Sequence, residues 1–260
     1  MVDTGTEHGL FQWQSYPQWA RGPARIVDDE VVLDEDRAEF YGIHERADDY
    51  PFIELAELAT DPSKLDPRDV VAFVRRNGLL WHGADSIGTG KCREPLAEWR
   101  AESHIMGVLL ELYVGLTDSI SEVSASKLRK VYERFPEVSK LAPLDAEDQQ
   151  LMGETSVNLA EVVTRKLEGC QLGVSSSVYI KTQRRGPGIF MMLQRPPHML
   201  SACYAHFVQV MVDRQPMEEC PGCGRIFVRH TGKQKYCTKS CAGTNRWRRW
   251  RDRQADQASG

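Results

Sequence analysis

The chain has 260 residues, and its 33 basic and 37 acidic side chains give a net charge of −4. This length allows a substantial buried core and one or two domains. The sequence contains no apolar run near the roughly 18 residues that a membrane-spanning helix needs, which excludes a membrane-embedded role. Because the N-terminus shows neither a basic start nor an apolar stretch after it, we expect a cytoplasmic protein.

The first two thirds of the chain show a mainly helical pattern. Residues 1–30 lack sustained periodicity and predict a partly ordered leader. Apolar residues then recur at helical intervals, and the acidic stretch at 145–150 is expected to lie between the last two of the helices. The predicted helices cover residues 69–76, 94–116, 124–135 and 157–167.

Beyond residue 169 the apolar residues partly alternate with polar ones. Residues 172–180 and 189–193 flank a turn-forming sequence at 184–188, which predicts a β-hairpin. Residues 199–212 return to helical spacing and lead into the C-terminal segment. We therefore predict an α+β fold: a mainly helical body with one β-hairpin over residues 31–215, a small finger domain over 216–254, and a disordered tail over 255–260.

Four cysteines near the C-terminus form two closely spaced pairs, Cys220 with Cys223 and Cys237 with Cys241. Two such pairs can fill all four positions around one tetrahedral zinc ion. A site with no open position indicates a structural metal, because catalytic zinc keeps one position for water or substrate. Four reduced thiols and two disulfides are the alternatives. We expect one structural Zn²⁺.

The enzyme signals in the sequence are weak, and we expect that the protein is not an enzyme. The segment 83–92 superficially suggests a phosphate-binding loop, but Asp85 replaces its first glycine and Cys92 replaces its Ser or Thr. The seven histidines are scattered and form no zinc-protease motif. Three further cysteines are expected to be isolated, buried small hydrophobes, namely Cys92, Cys170 and Cys203.

Charge is distributed unevenly along the chain. Residues 220–253 contain ten basic side chains and one acidic side chain, a balance of +9, so the remainder carries −13. Four thiolates and one zinc ion would reduce the finger to about +7. Such a patch attracts polyanions. The alternative is a solvated basic helix that pairs with the acidic body of the same protein.

The finger is expected to combine a knuckle, a β-hairpin and a helix around one ion, as in a treble clef. The knuckle is the Cys220–Cys223 turn, and residues 226–228 and 235–236 are expected to pair as the hairpin. Cys237 and Cys241 are four residues apart, which puts both sulfurs on one side of the first turn of a helix.

These residues resemble the CGNR-type zinc finger. The resemblance covers a Cys-Pro-x-Cys-Gly-Arg-x-Phe knuckle at 220–227, Tyr236 before the second cysteine pair, and Asn-Arg with a basic tail at 245–246. The chain departs from the family pattern at 242–244, where extra residues precede Asn-Arg. Upstream, 158–159, the Pro-Gly turn and the helix entering the finger are similar to the ABATE domain, the usual companion of this finger.

The resemblance implies a bacterial transcription regulator whose finger binds nucleic acid. Guanidinium groups can bridge phosphate oxygens or read guanine edges. For Trp247 and Trp250 we favour packing in the core over stacking on bases. The residues expected to contact nucleic acid are Lys233, Lys235, Lys239, Asn245, Arg246, Arg248, Arg249 and Arg253.

The leading hypothesis is a zinc-dependent DNA-binding regulator whose body senses a ligand or mediates assembly. Double-stranded DNA is the expected partner, which would associate the protein with the nucleoid, and RNA stays open. The alternatives are a zinc-stabilised protein–protein interaction module and a zinc-supported nuclease. The sequence identifies no ligand for the body, and it leaves a homodimer and a small-molecule ligand open.

Overall fold

The computed structural model describes residues 19–41, 50–58, 62–82, 86–117, 122–136, 145, 147–167, 171–177, 189–195 and 198–258. Their strands are β1 (Trp19–Arg21), β2 (Ala24–Val27), β3 (Glu30–Leu33), β4 (Glu39–Tyr41), β5 (Arg93–Pro95), β6 (Gln171–Ser177), β7 (Ile189–Arg195), β8 (Met217–Glu219) and β9 (Ile226–Val228). Their α-helices are α1 (Pro51–Leu58), α2 (Pro67–Asn77), α3 (Leu96–Thr117), α4 (Glu122–Arg134), α5 (Asp148–Lys166), α6 (Met199–Val212) and α7 (Lys239–Ala258).

The chain divides into two compact units. The first contains the described residues up to Gly107 and those of Asn158–Asp213, and the second contains those of Val108–Val157 and Arg214–Gly260. In the described parts of both units, no helix combines the length and the apolar character that crossing a bilayer requires.

Small antiparallel sheets accompany the helices of the first unit. Strand β1 pairs with β4, and the order of the second sheet is β2-β3-β5. Strands β6 and β7 pair from Gln171 with Arg195 to Ser177 with Ile189, which confirms the predicted hairpin. The mixed, mainly helical architecture agrees with the predicted fold class.

Folded structure extends further toward both ends than the sequence suggested. Strands β1 and β2 lie inside the range predicted as a leader, and Trp19 is only 2% exposed. Helix α7 continues to Ala258, so residues 255–258 are helical where a disordered tail was predicted. Residues 1–18 lie outside the described part of the chain.

Helix α2 confirms the helix predicted at 69–76, and local sequence sets both of its ends. The Asp66 carboxylate accepts the backbone N–H of Arg68 at 2.8 Å at the start. At the end, the Gly78 N–H donates to the Val74 carbonyl at 2.8 Å with φ +85°. A Cβ on Gly78 would overlap the carbonyl oxygen of Ala20, so glycine is required both for its backbone angle and for this close approach.

Helix α6 forms the centre of the first unit and has the bounds that the sequence predicted. Ten of its fourteen residues are buried. Phe207 contacts Phe52 with ring centroids 5.6 Å apart. The hydroxyl of Tyr204 donates to Glu102 at 2.9 Å, and Lys166 forms an ion pair with the same carboxylate at 2.5 Å. The buried hydroxyl of Tyr204 therefore has a hydrogen-bond partner, as a stable core requires.

The second unit contains the C-terminal part of α3, α4 and the N-terminal part of α5. Helices α3 and α4 pack closely, because a Cβ on Gly115 would lie 2.7 Å from the side chain of Leu128. The Tyr132 hydroxyl and Thr155 Oγ1 are 2.9 Å apart in the interior. Helix α5 begins at Asp148, so the acidic stretch predicted to lie between helices partly forms its first turn.

Candidate metal centre

The knuckle lies at the turn of a short antiparallel hairpin. Strands β8 and β9 pair with Met217 opposite Val228 and Glu219 opposite Ile226. The prediction that residues 235–236 would be the partner of β9 is therefore wrong. The knuckle joins β8 directly to β9, and the pairing buries Met217, Phe227 and Val228, which favours this hairpin over the predicted one.

The four cysteine sulfurs converge on one point. All four Sγ atoms lie within 4.8 Å of one another. The Sγ of Cys237 is 3.6 Å from that of Cys223 and 3.4 Å from that of Cys241. A tetrahedral site with metal–sulfur bonds of about 2.3 Å has sulfur–sulfur edges of about 3.8 Å, whereas a disulfide measures about 2.05 Å. The four side chains can hold one metal ion, as predicted.

Backbone hydrogen bonds shape the knuckle around Cys220, which is 1% exposed. Its N–H donates to the Arg225 carbonyl at 2.8 Å, and its carbonyl accepts the N–H of Gly224 at 2.8 Å. Its sulfur accepts the N–H of Cys237 at 3.4 Å. This last hydrogen bond holds the first cysteine of one pair, Cys220, against the first cysteine of the other pair, Cys237.

The absence of a side chain at position 222 lets the knuckle approach helix α7. A Cβ on Gly222 would lie 3.1 Å from the Cys241 carbonyl oxygen and 3.3 Å from the Cys241 Cβ. Those distances are tighter than ordinary van der Waals contact. The glycine in the Pro-Gly turn therefore serves the close contact between the two cysteine pairs.

Asn245 fastens helix α7 to the rest of the finger. Its side chain is 8% exposed. Its amide nitrogen donates to the Pro221 carbonyl at 3.2 Å, and its amide oxygen accepts the Tyr236 hydroxyl at 3.2 Å. The structure thus places this predicted nucleic-acid contact inside the finger. Tyr236 and Asn245 both belong to the sequence pattern that resembles the CGNR-type finger. That pattern was the sequence signal for the hydrogen bonds that Asn245 makes within the finger.

The surroundings of the sulfurs give the thiols unequal acidities. Desolvation and the neighbouring thiols raise the pKa of Cys237 to about 12. Desolvation also acts on Cys220, but N–H donors from Cys237, Gly222 and Cys223 outweigh it and lower its pKa to about 6. The lowered pKa favours the thiolate form of Cys220, and metal binding must displace protons from the thiols whose pKa is raised.

The segment that contains the cluster also has exposed basic side chains. Of the predicted contacts, Lys233, Lys235, Lys239 and Arg246 are exposed, and so is Arg251, which was not predicted. None of these five forms an ion pair with another residue in the described part of the chain. The predicted contacts whose side chains lie outside the described set are Arg248, Arg249 and Arg253 on α7.

Two tryptophans of α7 lie on the surface. Trp247 is 63% exposed and Trp250 is 48% exposed. Their ring centroids are 5.3 Å apart in a T-shaped arrangement. The favoured prediction that they pack in the core is wrong, and sequence reasoning missed them as surface residues because helical spacing alone does not reveal what covers a face.

The remaining sequence candidates lie in the first unit. Cys92 and Cys203 are buried, as predicted, and Cys170 lies outside the described residues. In the loop first considered for phosphate, the N–H groups of Gly88 and Cys92 donate to Glu35 at 2.5 and 3.4 Å. Backbone donors that a phosphate-binding loop would offer to a ligand thus contact a carboxylate of the same chain.

Comparisons of this chain with protein-family models, with curated proteins and with solved structures find no match. The similarity to the CGNR-type finger and to the ABATE domain therefore consists of the residues quoted above. What the structure adds is the metal-binding arrangement of four cysteines in the described part of the chain.

Proposed function

We propose that this protein is a zinc-dependent nucleic-acid-binding protein and that its C-terminal finger binds double-stranded DNA. The proposal rests on one observation: a four-sulfur cluster and an exposed basic surface occur together in a single short segment. The finger here means residues 217–258, from β8 to the end of α7. The similarity to the CGNR-type finger supports the further proposal that the protein regulates transcription.

The donor set favours zinc. Four thiolates at tetrahedral spacing match structural zinc sites, and thiolate ligands exclude the hard cations Mg²⁺ and Ca²⁺. Zinc would supply a structural cross-link between the knuckle and the first turn of α7, with no open position for chemistry. Cys220, Cys223, Cys237 and Cys241 would hold it, and the Tyr236–Asn245–Pro221 bridge orients the same elements from outside the cluster.

The charge of the finger favours a polyanion. Lysine and arginine side chains that reach solvent can neutralise phosphates and release counterions. An α-helix such as α7 also has the width that the major groove of DNA accepts. We propose Lys233, Lys235, Lys239, Arg246 and Arg251 as phosphate contacts. We omit Asn245, because its amide already bonds within the finger.

The mainly helical body is proposed to sense a ligand or to mediate assembly. This part of the proposal comes from the ABATE-like features of the sequence. Screening the full chain against metabolites by thermal shift would test it, and the absence of any stabilising compound would favour a role in assembly instead.

Binding of the full chain to a labelled DNA duplex tests the proposed function. With about five phosphate contacts, log affinity should fall with log salt at a slope near −4.5. Replacing Lys239 and Arg246 by alanine should make that slope shallower by roughly two contacts. Arg165→Ala, which removes an exposed charge of the first unit, is the matched control and should leave the slope unchanged.

A chelator should abolish binding in the same assay, because α7 loses its cross-link to the knuckle. A salt slope near zero, or binding that survives complete metal removal, would contradict the proposal. Tight binding to acidic proteins with none to DNA or RNA would point to the protein-interaction alternative.

A further inference from the structure

The two exposed tryptophans form a distinct aromatic surface on α7, here called the tryptophan pair. Large apolar side chains on a surface indicate a binding site more often when they cluster. Trp247 and Trp250 together expose more than any other adjacent aromatic side chains in the described residues. Their planes are inclined by 65°, so the edge of one ring meets the face of the other and ring surface remains open to solvent.

Space for a planar ligand lies beside Trp247. A shallow groove is lined by Gly243, Thr244, Trp247 and Arg251. Gly243 is four residues before Trp247 on the helix, and a Cβ added there would meet nothing within 4 Å. Glycine in a helix interior costs about 1 kcal/mol relative to alanine. At this position, it leaves the space beside the indole ring empty.

A positive charge lines the groove. Arg251 is four residues after Trp247 and lines the same groove, and Arg246 is exposed on the same helix. An apolar ring surface beside a guanidinium group complements a ligand that carries flat aromatic groups on an anionic chain. Unpaired nucleobases on a phosphate backbone have this chemistry, and they stack on aromatic side chains in many single-strand-binding proteins.

We infer that the tryptophan pair stacks on unpaired nucleobases, so that the finger binds a single-stranded stretch of nucleic acid in addition to contacting phosphates. This inference rests on the proposed nucleic-acid binding and adds unpaired bases to the duplex phosphates that the finger contacts. Bases within an intact duplex are stacked on one another and present only their edges, so an indole face cannot stack on them without opening the helix.

Fluorescence polarisation with the full chain tests the inference. The ligands are a single-stranded 20-residue DNA, its RNA counterpart, an abasic DNA strand with the same phosphates, and a duplex. The wild type should bind the base-containing strands at least about 10-fold more tightly than the abasic strand. The DNA and RNA arms distinguish the two sources of unpaired bases.

Two variants isolate the stacking contribution. Replacing both Trp247 and Trp250 by alanine should remove the preference for bases while affinity for the abasic strand changes less than about twofold. Gly243→Leu should fill the groove and reduce the base preference. Because leucine is a better helix former than glycine, this variant should preserve α7. Trp81→Ala is the matched control, because Trp81 is also exposed but lies in the first unit. This variant should bind base-containing strands with the same preference as the wild type.

The outcomes distinguish failure of base stacking from failure of nucleic-acid binding as a whole. Equal wild-type affinity for base-containing and abasic strands, or full base preference in the double variant, would overturn stacking while leaving phosphate binding in place. Failure to bind any strand or duplex would overturn the proposed function as well. A dimer in light scattering that the double variant converts to a monomer, with unchanged base preference, would assign the tryptophan pair to a second copy of this chain.

Discussion

Helices α6 and α7 bury their side chains to opposite extents. Helix α6 buries ten of its fourteen residues in the first unit, so hydrophobic packing fixes it. Helix α7 buries only Asn245 among its described side chains and begins beside two cysteines of the metal cluster. Most helices depend on tertiary packing. In the function proposed above, α7 depends on a metal ion instead, which would leave its faces free for a partner and allow basic and aromatic residues to occupy them.

The largest expected effect is the loss of a metal ligand, which should unfold α7 and leave α6 intact. Cys223→Ser should remove a ligand and unfold the finger, because structural zinc contributes about 10–16 kcal/mol of apparent binding energy to small modules. Amide hydrogen exchange should show loss of protection over 217–258 and unchanged protection in α6. Cys203→Ala, at a buried cysteine of α6, is the control and should leave the zinc content at one per chain. Full protection of α7 in the Cys223 variant would contradict the account.

Acid should destabilise the first unit through α6. His206 contacts the rings of Tyr50 and Phe52, and its burial lowers its pKa from 6.5 to about 4. Between pH 6.5 and 4 the unfolded state binds the extra proton, so the free energy of unfolding falls as pH falls, by about 3 kcal/mol in total. Denaturant unfolding from pH 7 to 4 measures this loss.

His206→Leu is the variant that sharpens the acid prediction, because leucine cannot be protonated. Its unfolding free energy should vary less with pH over this window than that of the wild type. The same pH dependence in both proteins would show that other groups cause the acid sensitivity.

A smaller effect tests the internal bridge of the finger. Asn245→Ala removes hydrogen bonds to Pro221 and Tyr236 and should destabilise the folded finger by about 1–3 kcal/mol. Competition with a chromophoric chelator should show zinc affinity reduced by roughly 10-fold or more. Ser240→Ala, at an exposed position of the same helix outside the groove, is the control. Unchanged zinc affinity with weakened DNA binding would instead support the original prediction that Asn245 contacts nucleic acid.

The smallest expected effect lies in the first unit. Asp66→Ala removes the side chain that caps α2 and should lower stability by about 1 kcal/mol. Asp66→Asn retains an acceptor and should restore most of the loss. Thermal unfolding measures both variants, and zinc content should be the same in each. A loss of zinc from the alanine variant would contradict the independence of the finger from this cap.

The helices could be predicted from the sequence where periodicity and end signals agreed. Helix α6 has the predicted bounds because apolar residues recur at helical spacing along its whole length. Helix α2 has both a capping aspartate and Gly78 at its ends. The partner of β9 could not be predicted, because strands of three residues carry too little alternation to indicate their pairing. The start of the folded body was missed for the same reason, since β1 is equally short.

In the candidate site, too, local sequence predicted some features and long-range contacts determined others. Cysteine spacing identified the four candidate ligands because it constrains the backbone directly, and the structure brings all four sulfurs together. The surroundings of the cluster depend on long-range contacts. Whether Asn245 faced inward and Trp247 outward was set by the approach of the knuckle to α7, which local sequence does not specify.

X-ray absorption at the zinc edge of the full-length protein, purified under reducing conditions, tests the central claim most directly. The account predicts one zinc per chain with four sulfur neighbours at about 2.3 Å. Nitrogen or oxygen ligands in place of any sulfur, or a protein without metal whose cysteines are oxidised to one another, would contradict it.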